Sequence, residues 1–308
     1  MIPSHTDPAR VVAVLGTNAS GKSSLGVALA QRFNGEVISA DSRQVYRRLQ
    51  LGAGKLTTDE MAGVRHHLID VIDVDKEYSV ADYQADAYAA IDDIVTRGKL
   101  PIVVGGTGLY LDAVLSGYEL VGAAPDPERR AELEALGVQE LVGLLRLRDP
   151  DAAGRVDVKN RRRLIRAVEI ADAGFAYGET RRRAPRYVTL KLGLTWPQEI
   201  LDRRIGERLR RRLDRGMVDE GRELLGSGVT AERLDQLGLE YRYIARYLNG
   251  EYPSEAVFVE ELERAIRRFA RRQLSWFRRE PEIVWLHPEA GNYLAEAVNL
   301  VEDFVPER

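Results

Sequence analysis

The segment Gly16-Thr17-Asn18-Ala19-Ser20-Gly21-Lys22-Ser23 carries the residue types that hold a phosphate chain. Its glycines let the backbone curl, so that successive N–H groups face phosphate oxygens at the positive end of a helix. Lys22 adds a cation that reaches the terminal phosphates, and the Ser23 hydroxyl stands where a magnesium ion takes a ligand. The pattern GxxxxGK[ST] has meaning between a strand and a helix, and the flanking residues supply both. It implies a diphosphate or triphosphate tail without saying what carries it. Kinases, NTPases and some transferases all use such a loop.

Two more segments could join it. In Ala40-Asp41-Ser42-Arg43-Gln44-Val45-Tyr46, Asp41 closes an apolar run that reads as a strand. Residues just past the carboxyl ends of parallel strands face the ligand crevice. There a carboxylate can hold magnesium or take a proton, although a lone Asp at a strand end also serves as a turn or N-cap residue. The turn Gly105-Gly106-Thr107-Gly108-Leu109-Tyr110 would bring Thr107 and backbone amides to the same edge.

The elements that must position these groups follow from periodicity. Residues 11–15 (VVAVL), 36–40 (EVISA) and 101–104 (PIVV) read as buried strands. Residues 23–33 repeat Leu25, Leu29 and Phe33 at helical spacing, and residues 83–97 form an Ala-rich amphipathic pattern. Strand, helix, strand, helix predicts an α/β fold with a P-loop NTPase-like parallel sheet flanked by helices. Residues 187–194 and 283–286 are further strand candidates. The predicted organisation is a first part of the core at 9–120, a mostly helical insertion at 121–185, and a return of the core at 186–308 with strands and basic helices.

Composition sets outer limits. With 308 residues, 44% of them hydrophobic, the chain can bury a real core. No apolar run approaches the roughly 18 residues of a membrane span, and the N-terminus lacks the pattern of a secretory signal, so a cytoplasmic location is expected. Cysteine is absent, which excludes disulfides, thiol nucleophiles and thiolate zinc sites. The net charge of −3 argues against an RNA partner only if charges are evenly spread. They are not: residues 201–215 and 264–279 are strongly basic. Such stretches are RNA-facing surfaces or solvated helix faces with acidic neighbours. Trp276 and Phe277, in the second stretch, read as core residues of an amphipathic helix rather than as base-stacking ones.

Six segments in order resemble the tRNA dimethylallyltransferase (isopentenyltransferase) family. GTNASGKS is similar to its phosphate loop and ADSRQVY to its DSxQVY segment. HHLID (66–70), GGTGLYL (105–111), NRRRLIRAVE (160–169) and RRQLSWFR (271–278) follow. The likeness spans nearly the whole chain. Without cysteine the chain cannot carry the zinc finger of eukaryotic relatives, which favours the bacterial type.

The resemblance implies transfer of a dimethylallyl group from its diphosphate to the exocyclic amine of the adenosine adjacent to the anticodon, in tRNAs reading codons that begin with U. The loop Gly16–Ser23, with Mg2+ at Ser23, would hold the diphosphate, and Arg204 or Arg208 would help neutralise it. Asp41 would be the general base, and Thr107 would position the adenine or its amine. Ser42, Arg43 and Gln44 would contact the extruded nucleotide. Arg130 and the helix bearing Arg162, Arg163, Leu164, Ile165 and Arg166 would meet the anticodon stem-loop. No obligate protein partner is implied, and a monomer is expected.

The chain departs from the family pattern in places. The usual TAKP is Ala53-Gly54-Lys55-Leu56, the Gln-Arg pair is Arg162-Arg163, and Ser275 stands for threonine. Near Gly238, LGLEYR replaces the commoner IGYxE. Two rival readings remain open on residues alone: a small-molecule or nucleotide kinase, and an RNA-binding module with a vestigial loop.

Overall fold

In a computed structural model that describes residues 8–119, 126–178, 181–182 and 185–305, the chain divides into two units. The first joins Met1–Ser116 to Pro185–Arg308, and the second is Gly117–Ala184. In chain order the strands are β1 (Arg10–Gly16), β2 (Gly35–Ala40), β3 (His66–His67), β4 (Leu100–Gly105), β5 (Tyr118–Glu119), β6 (Arg181–Arg182), β7 (Val188–Leu194) and β8 (Ile283–Leu286).

The first unit is a parallel sheet of order β3-β2-β4-β1-β7-β8. Every residue of β2 and β4, and all of β1 after Arg10, is buried, as the apolar runs require of strands covered on both faces. Alternation divides β1 between two cores. Val11, Ala13 and Leu15 pack with Ile91 and Leu111 from the helices Val80–Thr96 and Gly108–Leu115. Val12 and Val14 pack with Leu25, Leu29 and Val301 from the helices Lys22–Arg32 and Tyr293–Phe304. The α/β parallel-sheet class expected from the sequence is the observed one.

Away from the loop end of the sheet, the second residue of β2 is a buried Glu36. Arg97, Lys99 and His67 converge on it, with Lys99 at 2.8 Å and His67 Nε2 at 2.7 Å. These partners satisfy a carboxylate that burial alone would penalise. They hold its pKa well below the usual carboxylate range, with the Arg97 hydrogen bond contributing most.

The second unit pairs β5 with β6 antiparallel and adds the helices Pro127–Ala135, Val138–Arg148, Pro150–Arg155 and Arg161–Asp172. Leu133, Leu141, Leu145, Leu164 and Val168 form its core. Asn160 caps the last helix by accepting from Arg163 N–H at 3.2 Å. Among the described residues no helix is long and apolar enough to cross a membrane.

Candidate active site

Three neighbouring strand ends build the site. Leu15 of β1 and Ala40 of β2 are both in register with Gly105 of β4, so the three chains leave the sheet at one level. The phosphate loop follows β1, Asp41 follows β2 and the Gly106–Thr107 turn follows β4. Two strand spacings, about 10 Å, therefore separate the first two.

The loop curls as its glycines allow. Gly21 adopts φ 97°, a left-handed conformation that L side chains disfavour, and immediately starts the helix Lys22–Arg32. Lys22 Nζ folds back to donate to Thr17 O at 3.2 Å. Trp196 Nε1 donates to Ser20 O at 2.8 Å, and Arg204 Nε to Ala19 O at 2.9 Å. The Arg204 guanidinium also lies over the Trp196 ring, 4.4 Å from its centroid. The loop is thus braced from the helix Gln198–Asp214 and the residues just before it.

Four cations meet here. Burial pulls Lys22 down to about 8, with Arg208 pushing the same way and Asp41 opposing. Burial, then repulsion from Arg212, pulls Arg208 down to about 10, while Glu240 and Asp41 oppose. Arg204 and Arg43 are lowered too, each mainly by burial. Cations held below their ordinary values mark a pocket short of negative charge, which a diphosphate would supply. Of the two candidate arginines, Arg208 shares its field with both Lys22 and Asp41 and donates to Gly54 O at 3.1 Å. Arg204 borders the loop from the Ala19–Gly21 side.

The acceptor side is equally organised. Asp41 Oδ1 accepts from Arg43 N–H at 2.9 Å. Thr107 N–H donates to Ala40 O at 3.2 Å, and Thr107 Oγ1 accepts from Ser42 N–H at 3.1 Å. Since that oxygen is already an acceptor, its own proton points to another partner. Gln44 has structural bonds, accepting from Ser39 Oγ at 2.8 Å and donating to Gly54 O at 3.4 Å. Arg43 reaches Gln236 O at 3.1 Å and packs against Gly238.

Behind this face, Lys55 of the departing Ala53-Gly54-Lys55 segment is buried, bonded to Asp70 Oδ1 at 2.6 Å and Tyr46 O at 2.7 Å. Its role is to tie the segment after Asp41 to the HHLID stretch. Glu220 does similar work, accepting from the N–H groups of Gln50, Leu51 and Gly52 and from Tyr241 Oη.

Two sequence expectations need correction. Leu164 and Ile165, expected at the RNA, are buried in the core of the second unit, where helical spacing turns them inward. Arg162 and Arg163 on the same helix are exposed. Trp276 was expected in the core with Phe277. Phe277 is buried, but Trp276 is 39% exposed, with its indole over Gly108 and its N–H 3.1 Å from Asp112. Arg130 forms a bidentate pair with Glu169 at 2.8 and 3.0 Å, and Arg166 joins at 3.1 Å, so both also stabilise the second unit. Sequence reasoning gave no role to Gln273, Trp196 or Glu220, although Gln273 lay inside a quoted segment.

The fold is a parallel α/β sheet whose strand ends set the glycine-rich loop Gly16–Ser23 at one level with a carboxylate and a threonine hydroxyl. The IPP transferase family model matches residues 44–280, and the chain belongs to that family. It is 45% identical over 278 residues to tRNA dimethylallyltransferase 2 of Syntrophotalea carbinolica, covering 90% of this chain and 93% of the relative. It is 43% identical to tRNA dimethylallyltransferase of Salinispora tropica, covering 96% and 94%. Among solved structures, tRNA isopentenylpyrophosphate transferase from Bacillus halodurans superposes with a TM-score of 0.71 at 37% identity, covering 96% and 98%. A eukaryotic dimethylallyltransferase described as acting on tRNA gives a TM-score of 0.82 at 27% identity, covering 96% and 79%.

Proposed function

We propose that the protein transfers a dimethylallyl group from dimethylallyl diphosphate to the exocyclic amine of the adenosine adjacent to the anticodon of tRNA. The carrying observation is the level placement of Asp41 beside the cation-lined loop, in a chain whose relatives are named for this reaction. The amine nitrogen attacks the primary allylic carbon and forms the C–N bond. The C–O bond to diphosphate breaks, and its electron pair leaves with the diphosphate. Asp41 takes the proton that the amine loses, within hydrogen-bond reach of a base seated against Thr107. Thr107 Oγ1 offers its proton to the adenine. Lys22, Arg208 and the loop amides stabilise charge growing on the leaving group, while Arg204 braces the loop.

Magnesium fits this donor set as an ion carried by the substrate. Ser23 offers one hard oxygen, and among the described residues no cluster of three or more His, Asp or Glu could hold an ion alone. Most ligands would be diphosphate oxygens and water, and the ion would offset part of the diphosphate charge.

Arg162 and Arg163 supply exposed cations for the anticodon stem. With tRNA as acceptor, the enzyme works in the cytosol. The test is incubation with unmodified tRNA and either labelled dimethylallyl diphosphate or γ-labelled ATP. Label entering tRNA from the prenyl donor, recovered as a prenylated adenosine by mass, is expected. Phosphoryl transfer from ATP without prenylation would replace this reading with a kinase.

A further inference from the structure

Gln273 lies on the helix Glu255–Phe277, on a face otherwise made of Ile266, Ala270 and Phe277, all buried. A polar side chain on such a face destabilises the fold unless its amide is fully engaged. It is engaged twice, across great chain distance. Its Oε1 accepts from Asn18 N–H at 3.0 Å, and its Nε2 donates to Gly106 O at 2.8 Å. The first partner belongs to the phosphate loop, and the second is the residue before Thr107. One side chain therefore clamps the turn that cradles the donor to the turn that presents the acceptor group.

The loop offers a donor and the turn an acceptor, and the carboxamide matches them with an acceptor and a donor on one carbon. The fit is close: a Cβ on Gly106 would lie 2.6 Å from Gln273 Nε2 and 3.5 Å from Lys22 Nζ. The Asn18 N–H, held by Gln273, is also withdrawn from the set that can face phosphate. This sets which loop amides do so.

We infer that Gln273 is a positioning residue that fixes the spacing between the diphosphate cradle and the Thr107 turn, and hence the distance from allylic carbon to attacking amine. It touches neither substrate. The inference rests on the transferase reading above. Displacement of reacting groups by about 1 Å can lower a rate about 100-fold while leaving binding largely intact.

The test compares wild type with Gln273→Met, which keeps length and packing but loses both bonds, and Gln273→Glu, which keeps the acceptor but turns an anion on the Gly106 carbonyl. Turnover of labelled dimethylallyl diphosphate onto tRNA, KM for the donor, tRNA affinity and thermal midpoint are measured on each. The expected result is a roughly 10- to 100-fold fall in kcat for both variants, with KM and tRNA affinity within about threefold of wild type. A purely structural role would lower the midpoint and the active fraction but spare the kcat of the folded enzyme. That outcome, or wild-type kcat in either variant, overturns the inference. If Gln273→Met does not fold, Gln273→Glu alone decides it. No product from wild type would overturn the transferase reading and this inference together. Product from wild type with unaltered variants overturns the inference alone.

Discussion

At the scale of single residues, the proposed chemistry rests on two groups whose field is shared, Asp41 and Lys22. Asp41→Ala is expected to lower turnover by about 10²- to 10⁴-fold while tRNA binding, measured by filter retention, changes little. Equal loss of binding would make Asp41 an RNA-docking residue instead. Lys22 carries a pH signature. Its folded value is lowered to about 8, so the cation is complete below that pH and is lost as pH rises through it. Donor affinity of the free enzyme should therefore weaken above about pH 8, and Lys22→Arg should move this decline to higher pH. Titration of prenyl-diphosphate binding from pH 6 to 10 reads both. The turn after β1 and the strand-end place of Asp41 were legible from residue types at fixed spacing, because the pattern GxxxxGK[ST] takes its meaning between a strand and a helix. Gln273 was not, since its two partners lie 255 and 167 residues away.

At the scale of elements, strand recognition worked where the residues form an apolar run, whether wholly buried as in β2 and β4 or partly as in β7 and β8. β1, β2, β4, β7 and β8 read as apolar runs, and the residues that follow them turn out of the sheet. The edge strand His66–His67 escaped because two polar, half-buried residues carry no hydrophobic pattern. The helix Arg161–Asp172 shows the same limit in another form. Its motif pointed to RNA as a block, but helical geometry turns Arg162 and Arg163 outward and Leu164 and Ile165 inward. Arg163→Ala should weaken tRNA binding and reduce its salt slope by about one, with donor affinity unchanged. A slope equal to that of wild type would remove this helix from the RNA footprint. Leu164→Ala should act differently, costing about 2–5 kcal/mol of stability by opening a cavity, read as a lowered melting transition.

At the scale of the molecule, the buried Glu36 and its partners Arg97, Lys99 and His67 secure the sheet at the end opposite the site. Its pKa is lowered by folding, so its contribution is present above the normal carboxylate range and fades as pH falls below it. Glu36→Gln should destabilise the protein by about 3 kcal/mol near neutrality, because two cations lose their buried partner. The gap from wild type should shrink in acid, and denaturant midpoints at pH 7 and pH 3 measure this. A gap independent of pH would show that shape rather than charge holds the corner.

The central strand has a further consequence. β1 leaves the ribosome first but pairs only with β4 and β7, and the clamp on its loop comes from residue 273. A nascent chain that has exposed the whole phosphate-binding motif thus has no sheet neighbour for it until β4 emerges. Even then its loop is without the glutamine clamp and the bracing Trp196 and Arg204. Activity should appear only after Gln273 has emerged, and fragments carrying the motif alone should neither hold prenyl diphosphate nor alkylate RNA.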